Sequence, residues 1–316
     1  MGLFGRFSRT APRLDADGWD PELARVRAAA TDRKWPAMRA QLSEADPGTQ
    51  LSRLVGHAAD VTGLEKWFDQ VVAAEPDSAL TLLVSGARRV SWGWEARTAL
   101  RAQHVSREQF RTFHERLRLA EEQLYAAAER EPEWVAPWYF LQMSGRGLEV
   151  GQEVARRRFE AAVRRAPRHL GAHQQQLQQI CAKWGGSHEE MHAFARAAML
   201  DDVPGGPLGS LVAIAHLEHR GELDGAEEAA YLRAPEVVAS LHEAADRSIR
   251  HPSYGRPPGW THTYNVFAMA FALAGEKKAA AELFDTLDGR VTEFPWQYID
   301  GDAARAFRTW RARSGR

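Results

Sequence analysis

The sequence predicts an all-α protein built as an α-solenoid of stacked helical hairpins, and three observations carry that prediction. First, one helix-face signature recurs four times: an apolar residue, a bulky apolar residue four places on, a third apolar residue after three more, then usually Pro. It reads Leu64/Phe68/Val71/Pro76, Ala120/Leu124/Ala127/Pro132, Ala155/Phe159/Ala162/Pro167 and Ala280/Phe284/Leu287, with Thr292 in place of the last Pro. This spacing sets a hole and a knob on one helical stripe, and the Pro stops the helix a turn later. Second, Pro132 to Pro167 spans 35 residues, the length of one helix-turn-helix repeat. Third, no stretch of the chain shows the period-two alternation of a half-buried strand.

Taken in order, residues 1–20 read as a flexible basic leader, and 21–316 as a single helical-repeat domain. Gly2 opens no myristoylation signal, because position six is Arg6. Residues 21–60 read as two or three short capping helices, with Pro21 and Pro36 where a first turn tolerates proline. Residues 61–316 hold the repeat hairpins and a closing helix. Asp77 to Trp94 and Ser106 to Arg130 form a long hairpin joined near Glu95 to Val105. His169 to Ala182 is a Gln-rich helix ended by Gly185 and Gly186, and Ser187 starts the next. Helices near Leu211 to Arg220 and Ala234 to Arg250 follow, separated by loops dense in Gly and Pro. A final helix over about Asp302 to Arg313 turns Phe307 and Trp310 inward.

The last hairpin, Tyr264-x-x-Phe267-Ala268-x-x-Phe271 with Gly275 at the turn and then Ala280 and Phe284, follows the tetratricopeptide pattern. The segment Cys181-Ala-Lys-Trp184-Gly-Gly-Ser187-His-Glu-Glu-Met191, preceded by Phe159-Glu-Ala-Ala-Val-x-Arg-Ala-Pro167, resembles a family of bacterial tetratricopeptide-like proteins with a Lys-Trp-Gly-Gly-Ser-x-Glu-Glu-Met core and no assigned function. The resemblance runs from about Leu51 to the last hairpin. It implies the fold and brings no activity, substrate or catalytic residue with it.

Composition narrows the function classes. With 41 basic and 42 acidic residues, no global field draws the chain to nucleic acid or membrane. The single cysteine, Cys181, permits no internal disulfide, which fits a reducing cytoplasm. No apolar run reaches the roughly 18 to 20 residues of a membrane span.

Two motifs point to chemistry. His188-Glu189-x-x-His192 places two imidazoles on one helical face, the spacing of a zinc-dependent hydrolase in which the Glu activates water. His216, Glu218 or His219 on the next helix supplies the third ligand in that reading, Glu218 being the one selected. Ser187 and Glu190 form a capping box that accounts for the acidic position without chemistry. The plainer assignment makes His188 and Glu189 first-turn surface residues, with Met191, Phe194, Ala197 and Ala198 facing the core. The second motif is the arginine-rich stretch Arg88 to Arg118, with Trp92 and Trp94 available for stacking on a nucleic acid. Arg outnumbers Lys 36 to 5 over the whole chain, so a solvated face is the expectation there and at Arg156-Arg157-Arg158. Cys181 reads as a small buried residue, and Trp260 and Trp296, in Pro-rich surroundings, as exposed contacts.

The expected function is a non-enzymatic, cofactor-free scaffold that binds a protein or peptide in the concave face of the solenoid. First-helix positions facing away from the second helix supply the contacts: Tyr139, Met143 and Arg146 in one repeat, His262, Asn265 and Met269 in another, with Gln174 and Gln178 sharing a polar face. Amide and Arg donors beside Met and Tyr suit an extended peptide.

Overall fold

A computed structural model describes residues 12, 14, 18–97 and 105–315, so most of the expected leader lies outside the described residues. The chain is all-α. Among the described residues there are seventeen α-helices and no β-strand. The helices group into two compact units, one on Asp20–Gly186 and one on Ser187–Arg316.

The N-terminal unit runs α1 (Pro21–Thr31), α2 (Trp35–Ser43), α3 (Gln50–Ala59), α4 (Leu64–Ala74), α5 (Ala79–Arg97), α6 (Arg107–Arg130), α7 (Ala136–Gly147), α8 (Gln152–Arg165) and α9 (Leu170–Gln179). Asp20 caps α1 by accepting the N–H groups of Glu22 and Leu23, and Pro21 and Pro36 sit in the first turns of their helices. Ser106 and Gln109 close a reciprocal capping box at the start of α6. The recurring stripes are the core: Leu64, Phe68, Ala120, Leu124, Ala127, Ala155 and Ala162 are all buried. Opposite them the chain dispenses with side chains. A Cβ on Gly86 would stand 2.8 Å from Leu124 Cγ, and one on Gly147 would stand 2.5 Å from Leu117 Cδ1 and Phe113 Cζ.

Two arginines expected on solvated faces are interior, because each meets a carboxylate and a backbone carbonyl there. Arg88, 1% exposed, donates to Glu65, to Glu95 and to the carbonyl of Ala59 at the C-terminal end of α3. Arg158, 4% exposed, forks onto Glu121 and also donates to Leu141 O and Tyr125 Oη. Arg156 and Arg157 do remain exposed, beside Glu153 and Glu160.

The C-terminal unit runs α10 (His188–Asp201), α11 (Ser210–Arg220), α12 (Gly225–Tyr231), α13 (Pro235–Arg247), α14 (Trp260–Ala274), α15 (Lys277–Leu287), α16 (Glu293–Trp296) and α17 (Ala303–Arg313). Helices α12 and α16 have no counterpart in the sequence reading. Helix α14 is buried along almost its whole length, and Gly275, at φ 85°, turns the chain back into α15. Phe284 meets Trp296 and Phe307 at centroid distances of 5.8 and 4.9 Å. Trp296 is therefore a core residue with no exposed surface, contrary to its expected role as an exposed contact. Its indole N–H finds a buried acceptor, Asn265 Oδ1, at 2.7 Å. In α10 the buried stripe is Met191, Ala195 and Met199, with Ala197 exposed, so the expected core face is rotated.

The buried clasp at Arg88 generates a prediction. Truncation by Arg88→Ala leaves Glu65 nearly buried without its cation and is expected to cost about 3–5 kcal/mol in urea unfolding. Arg157→Ala, at an exposed pair, is expected to leave the unfolding midpoint unchanged.

Candidate functional site

Two groups of chemistry-bearing side chains stand out, one in each unit. In the N-terminal unit, Tyr139, Gln142 and Arg146 follow one another on α7 at spacings of three and four, hence on one stripe. Tyr139 lies 5.4 Å from the His169 ring and shares a hydrogen bond with Gln175 of α9. Burial pushes its hydroxyl pKa up, and the Asp60 charge adds to the shift. The Arg146 guanidinium carbon sits 5.7 Å from the Trp94 ring and 5.8 Å from the Trp184 ring, and these two indoles stand edge to face at 6.4 Å. Gln142 is 5% exposed, and neither end of its amide has a hydrogen-bond partner within the protein. Trp94 Nε1 is likewise buried without an acceptor. Met143, Gln174 and Gln178 are half-buried on the same two helices.

The other expected contact residues are in the C-terminal unit, and two of them are interior. Asn265 is fully buried: its Nδ2 donates to Thr261 O and Arg290 O while its Oδ1 accepts from Trp296. Met269 is 1% exposed. Both are corrected from contact residues to core residues, since α14 is packed on the face that was expected to be open. His262, half-buried, stacks on Phe294 at 5.5 Å, and burial lowers its pKa to about 4.

The second group joins α10, α11 and α12. Ser187 Oγ accepts the N–H of Glu190 and starts α10, so His188 stands in its first turn and His192 one turn on. His216 and His219 occupy the last two turns of α11. His192 Nε2 lies 3.1 Å from His219 Nδ1 and 3.2 Å from Tyr231 Oη, and Tyr231 Oη lies 2.9 Å from His216 Nδ1. Ser240 Oγ stands 3.2 Å from His216 Nε2. His188 stacks flat on His219 at 3.8 Å, with Glu222 3.6 Å from its Nε2. Burial, reinforced by the neighbouring imidazoles, lowers His192 to about 4 and His216 to about 3 and lowers His219 as well. These rings are neutral near pH 7.

The structure thus brings together the histidine pair that the sequence singled out, with a different companion. His219 stands against His192, whereas Glu218 is buried and accepts from Tyr298 Oη at 3.2 Å. Glu189, the expected base, is exposed. Among the described residues no three His, Cys, Asp or Glu side chains are placed to hold a metal ion as they stand. Tyr231 and Ser240 escaped the sequence reading. Tyr231 lies on α12, a helix too short to give a periodic signal, and Ser240 falls on the polar side of α13.

Three arginines of the arginine-rich stretch are committed internally, while Arg107, Arg111 and Arg118 are exposed, as a solvated face requires. Arg88 is buried, Arg89 binds Asp69 and Gln123, and Arg116 donates to Trp92 O while its guanidinium carbon lies 3.4 Å from the Trp92 ring centroid. Arg101 lies outside the described residues. Cys181 is buried, as its reading as a small core residue anticipated. No family model matches the chain, and no curated protein matches it. No helix among the described residues is long and apolar enough to cross a membrane.

The buried histidines set a pH dependence. His169 caps α9, its Nδ1 accepting the Ala172 N–H while Nε2 meets Ser52 Oγ, and burial followed by the His173 charge lowers its pKa to about 4. Folded His169, His192, His216 and His262 stay neutral where the unfolded chain takes up protons. Stability is then fully present above about pH 6.5 and is lost as pH falls towards about 4. Urea midpoints measured across that window are expected to fall, with a shallower slope in His169→Asn, which keeps a capping acceptor. A flat profile in the wild type would contradict neutral burial.

Proposed function

We propose that the chain is a non-enzymatic scaffold that binds an extended peptide segment of a protein partner over the α7 and α9 face of the N-terminal unit. In this reading the paired helices form tetratricopeptide-like hairpins of an α-solenoid. Their first helices carry the contacts: Tyr139, Met143 and Arg146 on α7, with Gln174 and Gln178 on α9.

One observation carries the reading. A buried amide with neither donor nor acceptor satisfied costs about 1–3 kcal/mol for each group left unpaired, and proteins seldom keep one without a use. Gln142 keeps both ends of its amide unpaired on the stripe between Tyr139 and Arg146. An extended peptide offers a carbonyl and an N–H at every residue, which matches a primary amide end for end. Arg146 and the edge-to-face indoles of Trp94 and Trp184 add a cation and apolar rings beside it, the residue types enriched where partners bind.

Phage-displayed random peptides panned against the full chain test the proposal. The expected result is an enriched consensus whose synthetic peptide binds Gln142→Leu about fivefold to a hundredfold more weakly, the equivalent of one lost amide interaction. The same variant is expected to unfold at equal or higher urea concentration, because it removes an unsatisfied polar group. Failure to enrich a consensus, or equal binding by Gln142→Leu, would refute the α7 and α9 assignment.

A further inference from the structure

We propose that His188, His192, His216 and His219 form a binding site for one divalent transition-metal ion of the zinc class, which ties α10 to α11. The site is independent of the peptide-binding reading and needs no hydrolytic chemistry.

The first argument is the spacing of the ring nitrogens. A tetrahedral zinc ion with Zn–N bonds of about 2.0–2.1 Å holds its ligand nitrogens about 3.3 Å apart. His192 Nε2 and His219 Nδ1 are 3.1 Å apart, close to that separation, on two adjacent helices. Tyr231 Oη continues the polar cluster to His216 Nδ1, at 3.2 and 2.9 Å. His188 completes it through the 3.8 Å stack on His219.

The second argument is proton bookkeeping. A neutral imidazole nitrogen carries one lone pair or one hydrogen, so two partners must share it in a bifurcated contact. His192 Nε2 faces both His219 Nδ1 and Tyr231 Oη. A cation would replace that shared contact with full bonds, because it accepts every lone pair directed at it.

The third argument is the outer shell. Metal-bound histidines turn their second nitrogen to a carboxylate or another acceptor, which fixes the tautomer and the ring orientation. Ser240 Oγ stands at His216 Nε2 and Glu222 at His188 Nε2, so Nδ1 is the nitrogen each ring would offer an ion, that of His216 by exchanging its present partner Tyr231 Oη. His188 Nδ1 is itself buried with no hydrogen-bond partner. The donor set is all imidazole, which suits zinc, copper or nickel and disfavours calcium or magnesium. Closing the set requires rotation of rings about their side-chain bonds, above all His188 leaving its stack, since no three of the described side chains are placed to hold a metal ion beforehand.

The test uses the full chain made without a histidine tag, dialysed against a chelator and then loaded with zinc chloride or cobalt chloride. One equivalent of zinc is expected to survive gel filtration, and the cobalt form to show the intense visible bands of a tetrahedral centre. Both His192→Gln and His219→Gln are expected to lose that equivalent, while His251→Asn retains it. Glu222→Gln, which leaves all four rings in place, is expected to bind zinc about tenfold to a hundredfold more weakly. That variant keeps the test open if a ring variant fails to fold. No retained equivalent in the wild type, full retention in either ring variant, or unchanged affinity in Glu222→Gln would overturn the assignment.

Discussion

Leu124 standing against the bare backbone of Gly86 is the contact on which the N-terminal unit depends. Helices α5 and α6 approach so closely there that one added methyl group would meet the Leu124 side chain, with the Ala120 carbonyl 3.3 Å away. The approach is possible because α6 alternates small and large residues down one stripe, Ala120, Leu124, Ala127, all buried to zero exposure. Close packing of this kind makes a core sensitive to single methylenes. The same arrangement recurs where Phe113 and Leu117 meet Gly147 on α7, so α6 fixes the position of both neighbours.

From α7 the constraint passes to the candidate peptide face. Gly145 leaves room for Arg158, whose Nη1 would lie 2.5 Å from a Cβ there, and Arg158 bonds back to the Leu141 carbonyl on the same helix. Its fork onto Glu121 ties α8 to α6 across α7. With the back of α7 held by a buried ion pair and two glycines, the stripe of Tyr139, Gln142 and Arg146 is presented in a fixed rotation. In the C-terminal unit an amide has the opposite fate to that of Gln142: Asn265 is fully satisfied and buried, and it organises Trp296 and the turn at Arg290 rather than a ligand.

Much of this was legible in the amino-acid order, and the losses have physical causes. The four recurring stripes identified core positions on α4, α6, α8 and α15 because burial follows helical period directly. The cap at Ser187 and the turn at Gly275 were readable for the same local reason. Arg88 and Arg158 were misread as solvated, since charge alone does not reveal that Glu65 and Glu121, 23 and 37 residues away, wait in the interior. Asn265 and Met269 were misplaced because a helix buried on all sides has no outward face to identify. The His188 and His192 pair was visible as a motif and His219 as a candidate neighbour. Tyr231 became part of the cluster only through the folding of a seven-residue helix with no periodicity to announce it.

The packing claim at Gly86 is tested most directly by a double-mutant cycle of Gly86→Ala and Leu124→Ala, read as urea unfolding free energies. In the wild-type background Gly86→Ala is expected to destabilise, because the new methyl group displaces Leu124. In the Leu124→Ala background the same change is expected to be neutral or stabilising, by up to about 1 kcal/mol of helix propensity. Equal effects in the two backgrounds would show that the helices do not meet at this contact and would contradict the account.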